Sequence, residues 1–183
     1  VGPFDEPNVA EAKQATQRML AESLEVGRPD VYWLANVEGV AVEAPVSVAD
    51  AIERRVMDRD RPEAWVPALF GLERPGDYFA LCAFLHRTPA RHERLLKLRA
   101  ACGAATRLAT TLGYGPRFLH STGQLHKGGP NRGIFLQLTA DEAVEAPIPG
   151  ERHGFGALIR AQAAGDYEVL ESRRRRLMRV HLG

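Results

Sequence analysis

The sequence predicts an α/β layered fold with a largely parallel sheet flanked by helices, and three observations carry that prediction. Segments of strand length and helix length alternate along the chain. Tyr78-Phe79-Ala80-Leu81-Cys82-Ala83-Phe84-Leu85 and Gly133-Ile134-Phe135-Leu136-Gln137-Leu138-Thr139 are nearly continuous apolar runs, as expected of strands covered on both faces. Between them lies a long pattern with apolar residues every three or four positions. With 183 residues, 45% of them hydrophobic and 26% charged, the chain is long enough and ordinary enough for a packed core. No internal repeat or low-complexity tract interrupts it.

In order, Asp5-Glu6-Pro7-Asn8 forms a helix entrance, with acids at the positive end of the helix dipole and a proline tolerated in the first turn. The helix runs through Ala10 to about Glu25 and stops before Gly27-Arg28-Pro29. Glu38 to Ala44 alternates as a strand, and Ser47 then caps a helix through Ala49, Ile52 and Val56. Asp58 to Gly76, rich in proline and holding Trp65, reads as an irregular connection. Tyr78 to Leu85 has buried-strand length, although a helical core segment has the same composition. Thr88-Pro89 opens a long helix with the stripe Leu95, Leu98, Cys102, Ala105, Leu108 and Leu112, ending at Gly113. Arg117 to His120 reads as a strand, followed by a glycine-rich loop from Ser121 to Asn131 and a strand from Ile134 to Leu138. Phe155 to about Ser172 is helical, with Gly165-Asp166 a candidate break, and Leu177 to Leu182 alternates as a last strand.

Acids and bases nearly balance, at a formal net charge of +1, so there is no general drive toward nucleic acid or an anionic membrane. Cys82 and Cys102 lie in apolar surroundings without metal-type spacing, which fits a reducing cytoplasm. No apolar run has the length of a membrane span. The chain begins at Val1, directly before a helix start, which reads as a fragment or processed product.

Candidate chemistry concentrates in two places. The loop Ser121-Thr122-Gly123-Gln124-Leu125-His126-Lys127-Gly128-Gly129-Pro130-Asn131 combines hydroxyls, amides, one ammonium and glycines, suited to a polar, anionic small molecule. Turn chemistry between strands accounts for its glycines equally well. On the first helix, Lys13 shares the face of Val9, Thr16 and Leu20. There its stem either snorkels along apolar surface or places a site ammonium. His120 and His126 lack a third ligand at metal spacing, Ser121 lacks an orienting acid, and Gly154-Phe155-Gly156 lacks the third glycine of a dinucleotide fingerprint. The basic run Arg173 to Arg176 suits phosphate or nucleic acid, but the balanced net charge favours a solvated helix end, where cations complement the dipole.

Two blocks carry a family resemblance. Phe4-Asp5-Glu6-Pro7-Asn8-Val9-Ala10-Glu11-Ala12-Lys13 resembles the FDQ-spacer-V-helix-lysine segment of glucose-6-phosphate isomerases. Gly113-Tyr114-Gly115-Pro116-Arg117-Phe118-Leu119-His120-Ser121-Thr122-Gly123-Gln124, His126-Lys127-Gly128-Gly129-Pro130-Asn131 and Leu177 to Gly183 resemble the end of bacterial bifunctional transaldolase/glucose-6-phosphate isomerases. The resemblance implies a sugar-isomerase (SIS)-like fold, with residues 1–27 the terminal helix of the isomerase core and residues 28–183 a C-terminal SIS-like domain. It implies Lys13 as the ring-opening group, and Ser121, Thr122, Gln124 and Lys127 as binders of glucose 6-phosphate or fructose 6-phosphate.

The implied reaction moves a proton through an enediol without a metal or organic cofactor. The family's catalytic glutamate and the transaldolase Schiff-base lysine belong upstream, so the upstream isomerase/transaldolase region becomes an expected partner, and a homodimer an admissible assembly. A weaker likeness links Leu119 to Gln124 with the LHSxGQ-type segment of compact bacterial isomerases, whose preceding acidic position is Phe118 here. The competing expectation is a non-catalytic module that binds a phosphosugar or mediates assembly.

Overall fold

A computed structural model describes residues 32–120, 122–141, 145–151 and 153–183, together with Gln14 and Gln17. Gln14 and Gln17 are helical, within the span predicted for the first helix; Lys13 and the rest of that segment lie outside the described residues.

Strand β1 (Tyr32–Val37) and β2 (Val40–Ala44) form an antiparallel hairpin. Its turn is Glu38-Gly39, both at positive φ (50° and 79°), the conformation that matches the twist of paired strands. The predicted strand from Glu38 therefore begins two residues later, and β1 was not anticipated. Helix α1 (Val46–Glu53) follows Pro45, which occupies the N-cap position; Ser47 lies inside the helix rather than capping it. The stretch expected to be irregular contains a 3-10 turn (Pro62–Ala64) leading into α2 (Trp65–Phe70). Burial of Trp65, Ala68 and Leu69 accounts for that short helix, since an aromatic of this size contributes far more by leaving water than six residues gain from helix propensity alone.

β3 (Tyr78–Phe84) is the expected buried strand. Helix α3 (Pro89–Thr106) starts as predicted, with Thr88 Oγ1 accepting from the Arg91 amide at 3.1 Å. It ends at Arg107, in the left-handed region (φ 57°), and not at Gly113, because Ala109–Tyr114 forms β4 along the edge of the sheet. After cis Gly115-Pro116 comes a 3-10 turn (Arg117–His120) where a strand was expected. Helix α4 (Thr122–Gly128) then occupies most of the expected loop. β5 (Gly133–Ala140), α5 (Phe155–Ser172, unbroken at Gly165-Asp166) and β6 (Arg176–Leu182) complete the order.

The six strands among the described residues lie in the order β1-β2-β6-β5-β3-β4. β6, β5, β3 and β4 run parallel to their neighbours, and the hairpin joins them antiparallel through β2 on β6. The α/β class and the largely parallel sheet agree with the sequence reading. Helices cover both faces, which is why β3 and β5 are apolar on both sides. One face packs α1, α2 and α3, through Ile52, Trp65, Leu69, Leu95 and Cys102, on Phe79, Leu81, Ile134, Leu136 and Met178. The other packs Phe118, Leu119, Ala163, Tyr167 and Leu170 on Ala80, Cys82, Phe84, Phe135 and Leu177.

From β3 the chain crosses through α3 to β4 on one side, then returns through α4 to β5 on the other side of β3. The order therefore reverses at β3. In open parallel sheets such a reversal leaves a crevice beyond the carboxyl ends of the strands, where ligands bind.

Candidate functional site

Of the five residues expected to act on substrate, Lys13 and Ser121 lie outside the described residues, while Thr122, Gln124 and Lys127 fall together on α4. They do not form an open loop. Gly123 is buried where a Cβ would stand 3.0 Å from the Phe118 carbonyl oxygen, so its lack of a side chain lets α4 pack against the preceding turn. Thr122 is half-buried, and Gln124 and Lys127 point into the protein.

Lys127 corrects the expectation of a ligand-facing ammonium. Its side chain is 1% exposed, and Nζ lies 2.6 Å from Oδ1 of Asp166 on α5, which is equally buried. The contact is an ion pair by distance without the direction of a good hydrogen bond, and Asp166 Oδ2 has no partner among the described residues. A buried lysine requires such a partner, because burying either ion alone costs several kcal/mol. Its charge is thus neutralised inside the fold.

His126, next to it, sits among the rings of Phe135, Phe118 and Tyr78, with centroids 5.0, 5.8 and 6.0 Å away. Neither ring nitrogen has a hydrogen-bond partner among the described residues. Burial first, then the positive charges of Lys127 and Arg175, push its pKa down to about 4 against the pull of Asp166, so the imidazole is neutral at pH 7. Burial likewise raises the Tyr78 hydroxyl to about 12 and holds the Cys82 thiol well above its ordinary value, which makes Cys82 unreactive as a thiolate.

The basic run also departs from its expected role. Arg173 and Arg174 are exposed, but Arg175 and Arg176 are buried. Arg175 donates to the carbonyls of Lys127 and Gly129, each at 2.7 Å, closing the C-terminal end of α4. Arg176 pairs with buried Asp77 through both guanidinium nitrogens and donates to Leu72 O at 2.9 Å. Deeper on the α5 side, Arg179 joins Gln137 (2.7 Å) and Glu43 (3.2 Å) across three neighbouring strands and lies 4.3 Å from the Tyr167 ring centre. These networks fix the sheet.

Groups open to a ligand gather instead at the carboxyl edge of the strands. Beyond β3 stand His86 and Arg87, both exposed, with Arg87 5.7 Å over the ring of Tyr114 at the end of β4. Tyr114 Oη is 3.0 Å from His92 Nδ1 in the first turn of α3. Arg91 donates to His86 O at 3.2 Å, and Arg117 is exposed just after β4. Near the ends of β5 and β6, buried Thr139 Oγ1 is 2.9 Å from His181 Nδ1, and His181 Nε2 is 3.6 Å from exposed Asp141 Oδ1. Sequence reading gave none of these residues a role of its own; Arg87, Arg91 and Arg117 were visible only as charges, and strand order sets them after two neighbouring strands. Among the described residues, no three His, Cys, Asp or Glu side chains cluster as a metal site, and no helix is long and apolar enough to cross a membrane.

No protein-family model matches the chain, and no curated protein matches it in sequence. In fold it is similar to the hypothetical protein TT0462 from Thermus thermophilus, with a TM-score of 0.56 over 74% of this chain at 14% identity. The aligned part is 38% of that protein's length, so this chain spans well under half of it. The likeness is one of fold.

Proposed function

We propose that this chain is the C-terminal, SIS-like part of a glucose-6-phosphate isomerase, of the type fused to transaldolase, and that it binds sugar phosphate at the carboxyl edge of its parallel strands. The observation that carries the reading is the reversal of strand order at β3, the topology at whose carboxyl edge open parallel sheets bind ligands, with exposed cationic side chains at that edge. The segment resembling the fusion enzymes, Gly113 to Asn131, covers the end of β4 and the connection to β5.

In this reading the edge orients the phosphorylated sugar, and Lys13 assists ring opening, as the resemblance implies. The proton transfer between C1 and C2 uses a carboxylate from the upstream isomerase region. Lys127 acts by tying α4 to α5 through Asp166. Thr122, the first residue of α4, is a remaining hydroxyl candidate for the substrate, as is Ser121, which precedes it in sequence. Pairing of Lys127 with Asp166 favours a second reading, a phosphosugar-binding or assembly module without catalysis.

The test is calorimetric titration of the chain with fructose 6-phosphate and 6-phosphogluconate, beside an isomerase assay of the polypeptide that includes the upstream region. Binding together with turnover supports the isomerase, and binding without turnover supports the module. Absence of both overturns the proposal.

A further inference from the structure

The two outer strands close the sheet differently. β1 shifts register against β2 between Trp33 and Ala35, and an irregularity of this kind twists an outer strand away from further pairing. β4 pairs with β3 in unbroken register from Ala109 to Tyr114, and it contains no proline and no charged residue. The Gly115 amide donates to Ala83 O at 2.9 Å, so by the alternation along a parallel ladder Thr111 and Gly113 also turn their backbone groups toward β3. Those of Thr110, Leu112 and Tyr114 face outward. Among the described residues no strand lies beyond β4, and no group bonds to these outward N–H and C=O groups.

Charge is confined to the two ends of the strand. Exposed Arg107 precedes it, in the left-handed residue that ends α3. At the other end Arg87 lies 5.7 Å over the Tyr114 ring, and exposed Arg117 follows in the 3-10 turn. None of the three has a carboxylate within ion-pair distance among the described residues. Two copies related by a two-fold axis would pair these strands antiparallel. Centred on Leu112, the register that matches all the outward groups, such pairing sets the Arg107 end of each strand against the Arg87 and Arg117 end of the other. Like charges so placed oppose self-association, and the same cations favour a strand that carries acids at its ends.

We infer that the outer edge of β4 is a docking strand for an extended segment of another protein, with Asp or Glu at both of its ends. The backbone groups of Thr110, Leu112 and Tyr114 hold the segment, and the cations set its limits. Ala109, Thr110, Thr111 and Gly113 are small, so β-branched side chains suit the centre of the incoming strand. The inference stands apart from the function proposed above.

The probe is a capped nonapeptide with two glutamates at each end of a Thr-Val-Thr-Val-Thr centre, titrated into the wild-type chain and followed by amide hydrogen exchange. It should bind and slow exchange at Thr110, Leu112 and Tyr114, leaving Thr111 and Gly113, which already face β3, unchanged. The same peptide N-methylated throughout its centre should bind about tenfold or more weakly, and one with lysines for glutamates more weakly than the acidic probe. Arg107→Glu and Arg117→Glu should each weaken binding about two- to fivefold or more, as loss of an exposed ion pair does, and the double variant should prefer the lysine peptide. Thr110→Pro removes one outward donor at a position where an outer strand tolerates proline, and should also weaken binding. Thermal melts establish that each variant is folded. No binding of the acidic peptide, equal binding of the acidic and lysine peptides, or protection at other amides overturns the inference. So does a wild-type dimer that protects these same amides, since the edge then belongs to a second copy.

Discussion

Lys127 and Asp166 form a buried ion pair, 2.6 Å from Nζ to Oδ1, that links α4 on the β4–β5 crossover to α5 on the β5–β6 crossover. A charge left alone at this depth is worse than no charge at all. Asp166→Ala or Lys127→Met should therefore cost about 3–5 kcal/mol in urea unfolding. The double variant Lys127→Met/Asp166→Leu should recover most of that loss. Equal destabilisation of single and double variants would show that packing, not charge, sets the effect.

A second expectation concerns acid. The pKa of His126 is depressed from 6.5 to about 4, so between those values the unfolded chain binds a proton that the folded one refuses. Stability is full above pH 6.5 and falls as pH drops toward 4. The loss from this residue comes to about 3 kcal/mol, since each pKa unit corresponds to about 1.4 kcal/mol. Unfolding of wild type and His126→Leu across pH 4–7 separates this from the titration of carboxylates: the variant should have the shallower slope. Parallel slopes would remove His126 as the cause.

The parallel core was legible because β3 and β5 are apolar on both faces, a pattern that only a doubly covered sheet requires. β4 was not. Leu108 and Leu112 continue the helical spacing of Leu98 and Cys102 beyond the true end of α3, which Arg107 terminates in a left-handed conformation without a glycine to announce it. α4 was hidden for the opposite reason, since its glycines lower helix propensity while burial of Gln124, His126 and Lys127 overrides them. Lys127 read as a ligand group because its partner Asp166 is remote in sequence and was noticed only as a candidate helix break. The cations at the carboxyl edge were legible one by one, but their assembly depends on strand order.

Helix α5 has a carboxylate at its start. Glu145 Oε1 accepts from the amides of Gly156 (2.7 Å) and Ala157 (3.3 Å), in place of a side-chain cap at Gly154. Glu145→Ala should cost about 1 kcal/mol, the usual worth of a cap, and speed hydrogen exchange at those two amides. Unchanged exchange there would mean that another group takes its place.

Gly133 begins β5 where an added Cβ would stand 2.1 Å from the buried Phe135 ring and 3.0 Å from Tyr78 Oη. That ring also packs on His126 and cannot withdraw without opening the cluster. Gly133→Ala should lower stability by about 1–3 kcal/mol or more, as overpacking does. A thermal melt at the wild-type midpoint would contradict this.

β6 is the latest of the described strands in sequence and lies inside the sheet, with β2 on one side and β5 on the other. Among the described strands the β1–β2 hairpin has no other neighbour, so during synthesis it waits through the whole stretch from Ala44 to Arg176 before its place in the sheet exists. Until then the outward hydrogen-bonding edges of β2 and β5 are both unpaired. The growing chain is most exposed to strand exchange with another copy in that interval, and β6 is the segment whose arrival ends it.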